Sequence, residues 1–171
     1  MTKECKLQGY DGAYATNNNA VIPADLEKIE GLRMVGTLNG FPWWADAPPV
    51  QQFRDVMGTY DKGFDYRSTS ATVMWTSLEL FRRAFINHGP PTDVAVKSAD
   101  VIDAFHAVKD ETLDGLLPQP ISYVADGYQP HVTCFWPFKL EDGTFSSVAI
   151  EGESGNDERG DLRTACYSLS S

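Results

Sequence analysis

No stretch of this 171-residue sequence approaches the roughly 20 consecutive apolar residues that a membrane-spanning helix needs, and the amino terminus, Met1-Thr2-Lys3-Glu4-Cys5, lacks the apolar centre of a signal peptide. That leaves a cytoplasmic protein or an upstream region, with its signal, outside these residues, and the second is the expectation. Cationic side chains are also scarce. Fourteen Lys and Arg stand against 24 Asp and Glu, a formal net charge of −10, and no Lys/Arg cluster makes a local exception. Such a surface repels phosphate backbones and anionic lipid headgroups, which argues against nucleic-acid and membrane-surface partners. The three cysteines, Cys5, Cys134 and Cys166, are too few for a disulfide scaffold, and none has the C-x-x-C spacing of a zinc or redox site. At most one bridge forms; otherwise the thiols act as small buried hydrophobes.

Catalytic signatures are missing as well. There is no Gly-x-Ser-x-Gly elbow, no phosphate-cradling glycine loop and no dinucleotide fingerprint. Gly152-Glu153-Ser154-Gly155 matches the elbow only superficially and lies in a polar stretch. His88, His106 and His131 are isolated, and metal or acid–base use needs converging partners that their spacing does not supply. The surplus of carboxylates reads as a solvated surface, with no pair singled out as acid and base. Arg159-Gly160-Asp161 spells an adhesion tripeptide, a match short enough to arise by chance. The expectation is a protein without catalysis, metal or cofactor.

What is present is the pattern of an α/β protein. With 42% hydrophobic residues the chain can bury a core, and its length suits one unit. Gly12 to Thr16 reads as a strand running into the polar loop Asn17-Asn18-Asn19. Ile22, Leu26 and Ile29 follow at helical spacing behind Pro23 and stop at Gly31, and Leu32 to Leu38 reads as the next strand. Strand, loop, helix and strand make a parallel βαβ unit. Pro48-Pro49 starts a helix with Val50, Phe53, Met57 and Tyr60 on one face. The longest periodic run follows Ser68-Thr69-Ser70, places Ala71, Met74, Trp75, Leu78, Phe81 and Phe85 on an inward stripe, and ends at Gly89-Pro90-Pro91. Ser98 then caps a helix whose Val101, Ile102, Phe105 and Val108 face inward.

From Leu116 onward the period falls to two. Ile121–Ala125, Val132–Leu140 and Phe145–Ile150 read as a small antiparallel meander with turns at Asp126-Gly127 and Asp142-Gly143, and Pro137 marks an edge or bulge. Residues 1–150 form the folded region, and 151–171 read as a polar, flexible tail. Ligands of open α/β sheets gather at the carboxyl ends of strands. The loop at Thr16, Asn17 and Asn18 and the aromatic segment Phe41 to Trp44 occupy such positions, so these amides and Trp43 are the candidate ligand contacts, with Trp43 equally suited to packing.

The order of Cys5-x3-Gly9-Tyr10, the strand and loop to Asn19, Trp43-Trp44, Met74-Trp75-Thr76-Ser77, Glu111-Thr112-Leu113-Asp114-Gly115-Leu116, Cys134-Phe135-Trp136 and Asp142-Gly143-Thr144-Phe145 resembles the C-terminal half of the branched-chain amino-acid-type solute-binding proteins of ABC importers. The resemblance implies part of a two-lobed type I periplasmic-binding-protein fold, with residues 1 to about 40 and the final strands in the second lobe and the helices between in the first. It further implies an extracytoplasmic location, a small-molecule ligand gripped without catalysis, and an ABC permease as the membrane partner. The family's N-terminal half has no counterpart among these residues, so unpaired sheet edges and apolar lobe surface favour self-association. Members that take α-amino acids hold the ammonium with a carboxylate in the loop matching Thr16-Asn17-Asn18; amides here suit a carboxylate, a carbonyl or a neutral polar ligand instead. The family arrangement brings Cys5 and Cys134 into the same lobe, which makes that pair the expected disulfide, against a pairing through Cys166 or free thiols. The competing reading is a free-standing α/β interaction or regulatory domain that has lost the pocket.

Overall fold

A computed structural model of the chain describes residues 2–17, 23–60, 62–63, 65–89, 95–126, 131–149 and 162–167. The expected βαβ unit is present: β1 (Tyr14–Asn17) and β2 (Met34–Leu38) pair in parallel around α2 (Pro23–Leu26), after an amino-terminal helix α1 (Thr2–Leu7) that the sequence reading did not anticipate. Gly31 turns the chain at φ +63°, and the Lys6 ammonium of α1 donates to the Glu30 and Gly31 carbonyls, docking α1 beside the amino end of β2. β3 (Cys134–Glu141) and β4 (Thr144–Ser147) follow antiparallel, giving the order β1-β2-β3-β4. The turn between them is Asp142-Gly143, both with positive φ, as the hairpin reading requires.

Alternation along the strands divides the sheet. Met34, Gly36 and Leu38 face inward opposite Leu140, Phe138 and Trp136, whereas Val35 and Thr37 lie on the other face opposite Lys139 and Pro137. The inner face carries the core with Phe41, Val50, Phe53, Leu80 and Ala84. The outer face is open: Val35 is 47% exposed, and with Ala15, Phe135, Pro137 and Val148 it lines a shallow apolar depression of about 370 Å³. Pro137 sits inside β3 rather than at a bulge, and the reason is directional. Its carbonyl accepts from Val148 on the β4 side, and a residue's N and O point to the same side of a strand, so the missing donor falls where the β4 ladder ends.

Helices α3 (Pro48–Tyr60), α4 (Thr69–His88) and α5 (Ser98–His106) fill the middle of the chain. The Ser68 side chain caps α4 by accepting from Ala71 N, and Gly89 ends it at φ 74°, as expected. In α5, Ser98 is the first helical residue and Lys97 the cap, its N–H held by the Asp100 carboxylate at 2.7 Å. Two inward faces agree with expectation only in part: Ala71, Trp75 and Phe85 of α4 and Phe105 of α5 pack against the core, and Val108 is buried. In α4 the buried residues are Thr69, Thr72, Thr76, Leu80 and Ala84, while Met74 and Leu78 are 60% and 62% exposed. In α5, Ala104 is buried and Ile102 exposed. Close approach explains the choice in α4: a Cβ on Gly40, after β2, would lie 2.2 Å from Thr72 Oγ1, so only a face of small side chains admits that loop.

The carboxyl-terminal region departs most. Ile121–Ala125 is not a strand; Ile121 makes an isolated bridge with Glu111. Gly127 and residues 151–161 lie outside the described residues, but 162–167 is no free tail. Leu162 and Ala165 are buried, and β5 (Ala165–Cys166) pairs antiparallel with the start of β3. That register sets Cys166 opposite Cys134 and forms the disulfide Cys134–Cys166, leaving Cys5 free. The expected Cys5–Cys134 bridge is therefore corrected. Cys5 belongs to α1 beside the amino end of β2, whereas Cys134 precedes Trp136, the partner of Leu38 at the carboxyl end.

Candidate functional site

The carboxyl end of β2 opens into a cleft of about 660 Å³. Thr37 and Asn39 form its floor where the strand gives way to the loop, and Thr76, Ser77 and Leu80 of α4 form one side. Leu117, Pro118, Ile121 and Tyr123 make the facing wall, and Val132, Cys134, Phe135 and Tyr167 close the remaining side. Parallel strands direct their loops to this end, so the cleft lies where the topology predicts a ligand.

Both irregular walls are held by side chains. Gln119 Oε1 accepts from the backbone N–H of Thr133 at 2.8 Å and of Cys134 at 3.0 Å, while its amide nitrogen donates to the His131 carbonyl at 3.2 Å. One side chain thus ties the 117–123 wall to the start of β3. The same wall is paired to Glu111 through both backbone bonds of Ile121, and Glu111 binds the Arg83 guanidinium of α4 at 3.1 Å. Arg83 also meets Asp114 and, at 3.0 Å, Glu79. Asp114 and Leu113 carry positive φ in the tight turn Leu113–Gly115, so the Glu111-to-Leu116 motif is a strained corner fastened to α4 by an arginine. Hydrogen bonds from Arg82, and then from Arg83, hold the Glu79 carboxyl below the usual range against the opposing effect of burial.

The cleft lining carries hydroxyls and one amide but no charged side chain among the described residues. Thr76 Oγ1 donates to the Val73 carbonyl at 2.9 Å and Ser77 Oγ to the same oxygen at 2.8 Å. Their hydrogens are engaged within the helix, so toward the cleft they offer lone pairs. Asn39 offers both donor and acceptor. Among the described residues no three of His, Cys, Asp and Glu converge as a metal site.

Of the residues expected from sequence, Thr16 and Asn17 close β1, with Asn17 in register with the cleft residue Thr37. The pleat sends the two side chains to opposite faces, so they do not converge. Asn18 lies outside the described residues. Trp43 does not line the cleft. The chain after β2 turns back over the inner face, burying Trp43 to 4% exposure with ring centroids 4.8 Å from Trp44 and 5.3 Å from Phe145. It borders a separate groove of about 290 Å³ by the β3–β4 turn, shared with Arg54 and the Arg67–Glu27 ion pair. Sequence reasoning missed Thr37, Asn39, Thr76 and Ser77; Thr37-Leu38-Asn39 at a strand's carboxyl end was a readable signal.

No family model matches the sequence, and no curated protein matches it. Solved structures do match in fold. A possible leucine/isoleucine/valine-binding protein from Rhodopirellula baltica superposes on 86% of this chain with a TM-score of 0.62 at 15% identity. A branched-chain amino-acid ABC transporter protein from Thermus thermophilus, solved with bound valine, covers 86% with a TM-score of 0.63 at 12% identity. A leucine-binding protein from Thermotoga maritima covers 86% with a TM-score of 0.56 at 13% identity. The chain spans 38–41% of the length of these structures. At such identities the likeness speaks for fold, and it agrees with the mixed sheet and strand-end cleft: the chain has an α/β fold corresponding to part of a type I periplasmic-binding-protein fold.

Proposed function

We propose that this chain is the ligand-gripping portion of an extracytoplasmic solute-binding protein, that it delivers a small molecule to an ABC permease, and that it performs no chemistry on it. The observation that carries the reading is the cleft at the carboxyl end of β2, within a fold whose solved neighbours include proteins described as binding branched-chain amino acids. A cavity of this size with apolar walls and a few fixed polar groups suits a small ligand. The Cys134–Cys166 bridge supports an oxidising compartment, because such bonds are not maintained in a reducing cytosol. Asn17, beside Thr37, is assigned to the mouth of the cleft and Trp43 to packing. The exposed stripe of α4 is the surface for self-association.

Thermal-shift screening of the full chain against amino acids, small amides, polyols and aromatic acids tests this. Ligand that binds only the native state raises the melting temperature, so a hit confirmed by calorimetry is expected. Ser77 is exposed on α4 and lines the cleft, so Ser77→Trp fills the site without disturbing the core. Loss of the hit in Ser77→Trp, with an unchanged circular dichroism spectrum, places the ligand in the cleft. A complete absence of hits across the panel sinks the reading.

A further inference from the structure

We infer that the cleft selects an uncharged ligand, an aliphatic or aromatic body bearing an amide or hydroxyl group, over a zwitterionic amino acid of the same shape; this rests on the solute-binding reading. Among the described residues, none of the side chains lining the cleft is Asp, Glu, Lys, Arg or His. An ammonium or carboxylate entering it would lose water and meet no opposite charge, and removal of an ion from water is far costlier than removal of a hydrogen-bonded neutral group. Leu80, Leu117, Ile121 and Phe135 instead offer apolar contact to a hydrocarbon body.

Two of the polar groups have a definite sense, while the Thr37, Tyr123 and Tyr167 hydroxyls can both donate and accept. Thr76 and Ser77 have given their hydrogens to the Val73 carbonyl, so they present acceptors on one side. Asn39 lies at the end of β2 and presents an amide that both donates and accepts. A primary amide complements this set: its N–H groups meet the hydroxyl oxygens and its carbonyl meets the Asn39 NH2. A lone carboxylate has only acceptors and a lone ammonium only donors; a zwitterion carries both, and against it stands the cost of taking two ions out of water with no opposite charge among the described lining side chains.

Four compounds sharing one isobutyl body decide it: 4-methylpentanamide (neutral), L-leucine (zwitterion), 4-methylpentanoate (anion) and isoamylamine (cation). Calorimetry on the full chain is expected to show the amide binding at least tenfold more tightly than each of the other three. Ser77→Trp should abolish that binding. Asn39→Asp, at an exposed position, should weaken the amide and strengthen isoamylamine, reversing their order. Leucine or either single ion binding as tightly as the amide overturns the inference while leaving solute binding intact. Amide binding that survives Ser77→Trp overturns the assignment to this cleft. Silence from all four compounds overturns the inference, and the broader screen then judges solute binding separately.

Discussion

Gly40 and Glu79 show how much single positions control around the cleft. The Cβ of a residue at 40 would lie 2.2 Å from Thr72 Oγ1 and 3.0 Å from Val73 N, both on α4, so the loop leaving β2 cannot keep its path with any other side chain. Gly40→Ala is expected to destabilise the chain by about 1–3 kcal/mol through overpacking, and Thr72→Ala in the same chain to recover part of the loss. Urea denaturation of both variants is the measurement; an unchanged midpoint for Gly40→Ala would remove the close approach from the account. Glu79 carries a pH dependence with a defined sign. Its carboxyl is held below the usual range by Arg82 and then Arg83, so below the ordinary glutamate value the unfolded chain binds a proton that the folded chain resists. Its contribution is complete above that value and is lost as pH falls through the depressed one. Glu79→Gln should flatten the decline of melting temperature on acidification in that window, and a parallel decline in both proteins would contradict the assignment.

At the level of elements, β5 and the 117–123 wall turn loose chain into a binding surface. β5 is two residues long and is secured by its pairing to β3, the burial of Leu162 and Ala165, and the Cys134–Cys166 bond. The bond closes a separation of 32 residues, and loops of this order lose about 2–4 kcal/mol of stability when opened. Reduction by dithiothreitol is therefore expected to lower the melting temperature. Because Cys134 and Tyr167 line the cleft, it is also expected to weaken any ligand bound there. Peptide mapping of unreduced protein should recover Cys134 linked to Cys166, with Cys5 alkylated; a Cys5–Cys134 peptide would restore the pairing inferred from family resemblance.

The whole molecule carries apolar side chains on its outside. Met74, Leu78 and Phe81 recur at spacings of four and three along α4, the interval of a helix-packing seam, yet all three are exposed. On the outer sheet face Val35 is exposed too, beside a shallow apolar depression. Proteins rarely leave such surfaces to water, so the chain at micromolar concentrations is expected to self-associate, and Leu78→Glu should shift it toward monomer in sedimentation velocity. A wild-type monomer throughout the concentration range would show that the seam is tolerated in solvent.

The local elements were legible because their causes are local. The Ser68 cap, the Gly89 stop, the Asp142-Gly143 turn and the two-residue period around Phe138 each follow from backbone preference and alternation within a few residues. The order of these elements also carried the resemblance that the fold comparison bears out. The face each helix buries was decided by contact instead. α4 has two stripes, and the bulkier one, Met74-Leu78-Phe81, was the natural choice by hydrophobicity; the approach of Gly40 to Thr72 selects the smaller one, and no periodicity contains that distance. The cleft has the same origin. Thr37, Ser77 and Tyr123 are distant in sequence, and the antiparallel pairing of β2 with β3 and the Gln119 tie to the start of β3 bring two of the cavity's sides together. Trp43 went to the core and Cys134 to Cys166 because a chain reversal and an antiparallel register set those neighbours. Sequence by itself determined most of the helices, strands and turns, α1, β5 and the irregular 121–125 segment apart, since those energies act between near neighbours; the tertiary structure decided those three and which side chains meet, since that depends on long-range packing that composition and spacing do not encode.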